Sequence, residues 1–407
     1  MIEKLPDGWK VEKLGDLCKF MNGYAFSSKD YVEYSNVVNI RMSNIRPNAS
    51  FNYLHNVKYL PEEYAEKYKQ FQLNNNDVIL AMTDMGKSMN ILGVPTEVKK
   101  PDRLIFLLNQ RVGKLFDFDL NKISTSYIKK VLSTEYIHNF YKQLGGGGLQ
   151  INLSKKDILL AEIPIPPLPQ QEKIVKVLDI SSALIEKQKK LIKNYDLFLK
   201  SKFIEMFGDP IKNPFAWEVE KLGDVCKNKG EYGSGASAVE YDKSKPRYLR
   251  ITDILESGYL IKNKKSPSII EEKYYMNKGD IVFARSGATV GKTYLHRNDD
   301  NLLFAGYLIR FIPNHAKLNP TFLFHFTKTS FYNSWILSKQ KVVAQPNINA
   351  KEYSALNIYL PPITLQNKFS SIVEKIELIK EKENKKLKSL QTLHDSLMQK
   401  AFKGEIG

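Results

Sequence analysis

DGWKVEKLGDLCKF (7–20) returns 208 residues later as FAWEVEKLGDVCKN (215–228). Three more pairs follow in the same order: NIRMSNI (39–45) with LRITDI (249–254), LNNNDVILAMTDMGKS (73–88) with MNKGDIVFARSGATVGKT (276–293), and LQINLSKKDILLAEIPIPPLPQQEKI (149–174) with AQPNINAKEYSALNIYLPPITLQNKF (344–369). The offset drifts from 208 to 195 through small insertions and deletions. A period this long does not fit a solenoid, so the sequence predicts a duplicated pair of domains.

The composition favours a protein that binds a polyanion. The chain has 407 residues and a formal net charge of +17, and 43% of its residues are hydrophobic. That length and hydrophobic content suit two to three globular domains, and the positive charge favours nucleic acid or an anionic surface. No apolar run reaches the roughly 18 residues of a membrane span, and MIEKLPDGWKVEKLGD lacks a signal-peptide core. We therefore expect a cytoplasmic protein that does not bind membranes.

Each repeat begins with a stretch of about 150 residues that mixes strand and helix patterns. Short runs rich in β-branched and aromatic residues predict strands in VVNIRM, DVILAM, YLRITDI, DIVFARS and GYLIRFIP. Helical periodicity marks 125–144 and 319–337. Cys18 and Cys226 occupy one repeat position, and we interpret each as a small residue packed beside the first strand. The first part of each repeat is thus predicted to be a mixed α+β domain.

A proline hinge, IPIPPLP or YLPPIT, precedes a long helix candidate in each repeat, over 170–207 and 366–402. Steps of three and four residues predict one core face on each helix. The first face contains Ile174, Val177, Ser181, Leu184, Gln188, Leu191, Tyr195 and Phe198; the second contains Phe369, Ile372, Ile376, Ile379, Glu383, Lys386 or Leu387, Leu390, Leu393 and Leu397. Two equal helices favour a mutual coiled coil, although each could instead pack on its own domain.

These patterns divide the chain into four parts. Mixed α/β domains cover 1–165 and 211–360, and segments with the long helices cover 166–210 and 361–407. The predicted fold class is α+β, with two repeated mixed α/β domains alternating with two long helices.

Known catalytic motifs are missing from the sequence. The run GDIVFARSGATVGKT (279–293) ends like a phosphate-binding loop, but Ser286 stands where the first glycine of that motif is required. The second copy, AMTDMGKSMN, has no upstream glycine. Histidines and cysteines lack metal-ligand spacing, and no methyltransferase, nuclease or nucleophile-elbow motif occurs. The chain is therefore predicted to be a binding protein without catalytic residues and without a metal site.

Polar residues that suit DNA cluster after the paired strands. Forked or amide side chains read base edges, whereas lysine, hydroxyl groups and backbone amides hold phosphates. In the first repeat the candidate DNA-binding residues are Arg41, Ser43, Asn44, Thr83, Lys87, Ser88 and Asn90, with Gln150 and Asn152 before the hinge. In the second they are Arg250, Thr252, Arg285, Ser286, Thr289, Lys292 and Thr293, with Gln345 and Asn347 before the hinge.

The order of these motifs resembles the specificity subunit of type I restriction–modification systems. The features that carry the resemblance are GWKVEKLGDLC, GYAFSSKDY (23–31), GDIVFARSGATVGKT, AQPNINAKEYSALNIYLPP, IPIPPLPQQEKIVKVLD and the ending SLMQKAFKGEIG (396–407), and together they span nearly the whole chain. The resemblance implies that each mixed α/β domain is a target recognition domain, which reads one half of a split, asymmetric site on double-stranded DNA. It also implies that the helices form an antiparallel coiled coil that sets the gap between the half-sites.

The same resemblance implies partners and cofactors. The helices would dock two modification subunits, which carry S-adenosylmethionine and methylate adenine, and restriction subunits using ATP and magnesium would join them. The residues expected to support docking are Ile174, Val177, Leu184, Leu191, Phe198, Phe369, Ile372, Ile376, Ile379, Leu390, Leu393 and Leu397. The chain itself would need no cofactor.

Two alternatives remain open from the sequence. A nucleotide-dependent enzyme built on GATVGKT predicts saturable ATP binding that is lost in Lys292→Ala. A coiled-coil scaffold with an incidentally basic surface predicts weak DNA binding that falls steeply with salt and has no preferred site.

Overall fold

The computed structural model describes residues 5–85, 90–144, 150–340 and 347–406. Two compact units divide the chain: the first contains residues 1–187 and 388–407, and the second contains residues 188–387. Each unit therefore combines one repeat with parts of the two long helices.

Short strands and helices make up the first unit. Its described strands are β1 (Lys10–Lys13), β2 (Lys19–Asn22), β3 (Val37–Ile40), β4 (Tyr59–Leu60), β5 (Gln72–Leu73), β6 (Val78–Ala81), β7 (Thr83–Met85), β8 (Pro95–Glu97), β9 (Ile105–Leu108), β10 (Val112–Phe116), β11 (Gln150–Asn152) and β12 (Glu162–Ile165). Its helices before the hinge are α1 (Leu14–Leu17), α2 (Tyr64–Lys67), α3 (Thr125–Leu132), α4 (Glu135–Leu144) and α5 (Lys155–Leu159). The long helix α6 (Leu168–Phe207) follows.

The second unit has a similar series. Its described strands are β13 (Glu218–Lys221), β14 (Glu231–Tyr232), β15 (Ala238–Val239), β16 (Arg247–Leu249), β17 (Ser266–Pro267), β18 (Ile281–Ala284), β19 (Thr293–Leu295), β20 (Leu302–Phe304), β21 (Leu308–Phe311) and β22 (Asn357–Leu360). Its shorter helices are α7 (Pro320–Phe326), α8 (Ser330–Gln340) and α9 (Ala350–Ser354), and the chain continues into α10 (Ile363–Phe402).

The strand order repeats between the units. The first unit has the sheet β2-β10-β6-β8, and the second has β14-β21-β18-β19. The first strand of each unit pairs with the strand just before the hinge, β1 with β12 and β13 with β22, both antiparallel. One parallel pair also recurs, β3 with β9 and β16 with β20. The sequence repeat is thus a repeat of the fold, and the predicted α+β class is confirmed.

One strand in each unit lies between two hydrophobic cores. In β6, Val78 and Leu80 join the core that contains the helices, whereas Ile79 and Ala81 join the opposite core. Strand β18 does the same through Ile281 and Phe283 on one face and Val282 and Ala284 on the other. Burial on both faces explains why these strands are continuous apolar runs rather than alternating ones.

A buried glutamine fixes each proline hinge to its domain. Gln171 accepts a hydrogen bond from Ser124 N at 2.9 Å and donates Nε2 to Lys122 O and Pro166 O at 2.7 and 2.9 Å. Gln366 makes the same three bonds in the second unit, with the main chain of Asn319, Lys317 and Pro361. Both side chains are fully buried.

The two helical segments predicted over 125–144 and 319–337 are each broken in two. Ser133 and Thr134 separate α3 from α4, and their hydroxyl groups donate to the Lys129 and Val131 carbonyls. Thr327 and Thr329 separate α7 from α8 in the same way, through the Phe324 and Phe326 carbonyls. Such side-chain bonds compete with the helical ladder and end the helix.

The long helices run antiparallel inside each unit. In the first unit, Ser181 Oγ lies 2.8 Å from His394 Nδ1, while the earlier Gln170 reaches Ile406 O. In the second unit, Gln188 Nε2 donates to Glu383 O at 3.0 Å. Later in α6, the Phe203 ring lies 5.4 Å from that of Phe369, centroid to centroid. The predicted antiparallel pairing is therefore confirmed.

The predicted core register of α6 is wrong at every second position. Burial follows Ile174, Leu178, Ser181, Ile185, Gln188, Ile192, Tyr195 and Leu199, so the step after Ile174 is four residues and not three. The predicted core residues Leu184, Leu191 and Phe198 are 46%, 37% and 46% exposed, and Val177 is only partly buried. The competing neighbours are all apolar, so periodicity alone could not separate them.

The same one-residue shift occurs in α10. Buried or half-buried positions follow Phe369, Val373, Ile376, Lys380, Glu383, Leu387, Leu390, His394, Leu397 and Ala401. Ile379 and Leu393, predicted as core, are 38% and 51% exposed, and Ile372 packs at the edge of the second-unit core. Polar Lys380 and His394 occupy the seam of this helix. The apolar pattern therefore predicted their neighbours Ile379 and Leu393 instead. Position 386 is also exposed, and Leu387 takes its place.

Candidate nucleic-acid interface

The predicted loop after β6 and the segment before the first hinge meet at one edge of the first unit. Strands β7 and β11 pair antiparallel, with Asn152 opposite Thr83. Thr83 Oγ1 donates to Asn152 Oδ1 at 2.8 Å. Thr83 is buried, whereas Asn152 is exposed. Thr83 therefore positions an amide side chain that faces solvent.

The second unit brings the equivalent residues together with different chemistry. Ser286 and Asn347 form an antiparallel bridge, and Arg285 Nε donates to Asn347 Oδ1 at 3.2 Å. The Arg285 guanidinium also lies 4.7 Å from the centroid of the Tyr232 ring. An arginine, an amide and a tyrosine thus occupy the edge where the first unit presents Asn152.

Short 3₁₀ turns follow β3 and β16, and the third residue of each turn, Asn44 or Asp253, is buried and bonds within the protein. Asn44, predicted to bind DNA, is buried, and its Nδ2 lies 3.0–3.2 Å from the carbonyls of Asn52, Tyr53 and His55. Its Oδ1 accepts from Arg41 N at 2.8 Å. This network uses both ends of the amide within the protein, so the prediction for Asn44 is wrong.

The arginines that open these turns are held by protein contacts. In the second unit the Arg250 guanidinium makes two hydrogen bonds, at 3.1 and 2.7 Å, with the buried Asp253 carboxylate, which raises the pKa of Arg250. Arg41 donates Nη2 to Asn56 O. Thr252 is exposed, whereas Ser43 Oγ is buried and has no hydrogen-bond partner within the described residues.

The GATVGKT segment forms a turn between two strands. Gly287–Thr289 is a 3₁₀ turn, with Gly287 at φ +67° and Thr289 Oγ1 donating to Ser286 O. Lys292 Nζ lies 2.9 Å from Glu256 Oε1, so the exposed carboxylate of Glu256 partly compensates its charge.

Thr293 is fully buried, and its hydroxyl lies 2.7 Å from that of Thr327, so the predicted DNA contact is wrong. Strand β19 begins at this residue. A phosphate-binding loop needs a helix N-terminus there, and the nucleotide-enzyme alternative therefore lacks support.

Other predicted residues are described only in part or are not described by the structure. Lys87, Ser88 and Gln345 fall outside the described residues, and for Gln150 only the backbone pairing with β7 is described. Asn90 is exposed and borders a cleft that Lys130 and His394 also line.

Sequence reasoning missed two aromatic features of the recognition domains. Tyr232 supports Arg285, and its hydroxyl accepts from Ala350 N at 3.1 Å. In the first unit, Tyr24 and Tyr68 lie 4.4 Å apart between ring centroids, within a cluster that includes Phe26. Aromatic residues beside glycines, in GYAF and GEYG, were the available signal.

The two cysteines have no reactive character. Burial raises the pKa of Cys18 and of Cys226 to about 12, and Cys18 Sγ lies 3.5 Å from Leu14 O. Across the ranges that the structure describes, no three histidine, cysteine or acidic residues are grouped to hold a metal ion. No helix in that part of the chain is long and apolar enough to cross a bilayer.

The sequence matches the family described as type I restriction modification DNA specificity domain twice, over residues 6–194 and 214–391. The chain belongs to this family. The two matches coincide with the two repeats, so each repeat is a DNA specificity domain. Members of this family are specificity subunits, which supply DNA recognition rather than catalysis, as predicted for this chain.

Curated relatives align with this chain over nearly their whole length. The chain is 21% identical to the type I restriction enzyme MjaIX specificity subunit of Methanocaldococcus jannaschii, over 100% of this chain and 95% of the relative. It is 22% identical to the EcoKI specificity subunit of Escherichia coli strain K12, over 99% of this chain and 90% of the relative.

Solved structures share the fold. The S subunit of a type I restriction–modification system from M. genitalium superposes with a TM-score of 0.54 at 15% identity, covering 98% of both chains. A chain from a study of complex assembly and conformational transition in the type I system gives a TM-score of 0.57 at 18% identity, also covering 98% of both chains.

Proposed function

We propose that this chain reads a bipartite, asymmetric DNA site, with one half-site for each recognition domain. The observation that carries the proposal is an equivalent edge in each unit. Thr83 meets Asn152 in the first unit, and Arg285 meets Asn347 in the second. Both edges have the same backbone pairing, yet their exposed side chains differ. Two equivalent folds with different side chains at equivalent positions suit two half-sites of different sequence.

The formal charge of +17 supports DNA rather than an uncharged partner. Lysine and arginine that neutralise phosphates release counterions and give affinity without sequence preference. Specificity requires positioned side chains at base edges. Asn152, Asn347 and Arg285 meet that requirement, because each has a hydrogen bond that fixes its orientation. A scaffold with an incidental basic surface would not need such positioning.

We also propose that the outer faces of the long helices dock the modification subunits, two per chain, to which restriction subunits are added. Support comes from apolar side chains that the helix seam leaves uncovered. In the first unit these include Ile180 and Leu184, and in the second Leu191 and Phe198. Exposed apolar residues at helical spacing suit packing against partner helices. S-adenosylmethionine, ATP and magnesium belong to those partners in this proposal.

The separation of the half-sites is proposed to follow the length of the helices. Each helix has 40 residues, which corresponds to about 60 Å at roughly 1.5 Å per residue. Inserting about four residues into α6 alone should alter the recognised gap or abolish binding. An unchanged gap would contradict this part of the proposal.

The proposal is tested by mapping DNA modification. The full chain is co-expressed with its modification subunit, and methylated adenines are located across the host genome. A split motif with a fixed gap is expected. A contiguous motif, or no motif above a control that lacks this chain, would contradict the proposed function.

A further inference from the structure

We infer that Arg285 reads a guanine in the half-site bound by the second recognition domain, an inference that rests on the proposed function. The commonest specific base contact of arginine is a fork in which two guanidinium nitrogens donate to O6 and N7 of guanine in the major groove. That contact needs an arginine whose side chain is held in place while its two terminal nitrogens stay free. Arg285 meets both conditions.

The Arg285 side chain is held on two sides. Its Nε donates to Asn347 Oδ1 at 3.2 Å, and its guanidinium stacks 4.7 Å from the Tyr232 ring centroid. Arginine stacked on an aromatic face is pre-organised, so less conformational freedom is lost when it binds. The bond to Asn347 uses Nε, and neither Nη atom has an acceptor within the described residues. The unused edge of the guanidinium is the edge that pairs with guanine.

The residues that hold Arg285 are themselves fixed. The Tyr232 hydroxyl accepts from Ala350 N at 3.1 Å, at the start of α9. Arg285 N donates to Tyr307 O at 3.1 Å, and Arg285 O accepts from Ile348 N at 2.8 Å. Backbone, ring and guanidinium therefore form one connected support, as base readout by a single side chain requires.

Other arginines of the second unit lack this combination. Arg250 uses Nε and Nη2 on Asp253, and Arg310 donates to Glu231 and to the carbonyls of Tyr275 and Lys273. Arg297 stacks on Phe324 and Tyr259 but donates Nη1 to Leu295 O. Arg285 combines stacking with two terminal nitrogens that have no such partner.

The first unit has no counterpart to this arginine. Alignment of β6 with β18 places Met82 opposite Arg285, and Met82 is buried. The pairing of β2 with β10 and of β14 with β21 places Asn22 opposite Tyr232. Asn152 remains as the equivalent of Asn347. The guanine contact is accordingly assigned to one half-site only.

The first test is the modification motif of Arg285→Ala, Arg285→Lys and wild-type chains, each co-expressed with the modification subunit. In Arg285→Ala, one G·C position of one half-site should become degenerate, while the other half-site and the gap stay unchanged. Arg285→Lys should relax the same position, because an ammonium cannot donate in a planar fork. Arg297→Ala, which removes another stacked guanidinium from this unit, should relax no position.

The second test removes the acceptor instead of the donor. Duplexes with the mapped site carry either guanine or 7-deazaguanine, which lacks N7, at the relaxed position. The wild-type complex should bind the 7-deazaguanine duplex about 2- to 12-fold more weakly, because the substitution removes one of the two hydrogen bonds of a bidentate contact and leaves O6 in place. The Arg285→Ala complex should bind both duplexes equally. This comparison within each variant is independent of any change in stability.

Three results would overturn the inference. They are uniform loss of modification at all positions, relaxation at a position that is not G·C, and equal sensitivity of both complexes to 7-deazaguanine. In each of these cases the wild-type chain still yields a split motif. Failure of the proposed function is different, because the wild-type chain would then yield no split motif at all.

Discussion

Gln171 and Gln366 make the same three hydrogen bonds, one set in each unit. Each glutamine lies in the first turn of a long helix and bonds the main chain of its own domain and of the proline hinge. The side chain carries both donor and acceptor, so one buried amide satisfies main-chain carbonyl and N–H groups together. The entry angle of each helix thus depends on one amide.

Replacing Gln171 with alanine should destabilise the first unit. Two main-chain carbonyls and one N–H would lose their partner, which corresponds to about 2–4 kcal/mol. Urea unfolding followed by circular dichroism should show the loss in the transition of the first unit only. Glu172→Ala, at the exposed neighbouring position, is the control. Equal midpoints for the two variants would contradict the role of Gln171.

Neighbouring positions on α6 should respond oppositely to a charge. Ile185 lies in the seam and is buried, whereas Leu184 is 46% exposed. Ile185→Asp should destabilise the chain by several kcal/mol, because it buries a carboxylate without a partner. Leu184→Asp should leave the melting temperature of the isolated chain unchanged and reduce co-purification of the modification subunits about tenfold or more. Full retention of those subunits by Leu184→Asp would contradict docking on this face.

Asn44→Ala should act on stability and leave the bases that are read unchanged. The substitution removes the donor to three carbonyls and the acceptor for Arg41 N, at a cost of about 2–4 kcal/mol. Thermal unfolding measures the effect, with Ser43→Ala as the neighbouring control at about 0.5 kcal/mol or less. A stable Asn44→Ala chain with an altered modification motif would show instead that Asn44 contacts DNA.

Acid should weaken the second unit through His325. Burial, together with Arg297, Lys328 and Lys380, lowers the pKa of His325 to about 3. Since the folded pKa lies below the unfolded value of about 6.5, this contribution is intact above pH 6.5. It is lost as pH falls toward 3, by up to about 1.4 kcal/mol per pH unit.

His325→Phe should flatten the dependence of unfolding free energy on pH between 6.5 and 5, measured by urea titration at each pH. His315→Gln, at an exposed histidine of the same unit, is the control substitution. An identical slope in His325→Phe and wild type would mean that this imidazole does not contribute.

The duplicated fold was predictable because each repeat carries the same landmarks in the same order. Strands β6 and β18 were visible as apolar runs, since two cores bury both of their faces. The sequence identifies Arg285 and Asn347 as candidate DNA-binding residues, but their contact was not predicted, because it depends on the antiparallel bridge between Ser286 and Asn347. Local sequence patterns were sufficient to predict an element where, as in β6 and β18, all of its residues are apolar and buried.

Other features depend on packing that local patterns do not encode. Val177 and Leu178 are equally apolar, so only contacts between the helices decide that Leu178 is buried. In the sequence Asn44 and Thr293 resemble ordinary loop residues. In the fold both are buried, and they bond to the His55 carbonyl and the Thr327 hydroxyl, respectively. Tyr232 is 53 residues from Arg285 in sequence, and only the sheet brings the ring beneath the guanidinium.

The central claim is that each recognition domain reads its own half-site, and Asn152 and Asn347 test it as a matched pair. Asn152→Ala and Asn347→Ala remove the same amide from the same position of the two units. The measurement is the genome-wide map of methylated adenines for each variant, co-expressed with the modification subunit. Each substitution should alter the base preference or methylation of one half-site, a different half for each variant, and leave the gap unchanged. Alteration of the same half by both variants, or of both halves by either one, would contradict the account.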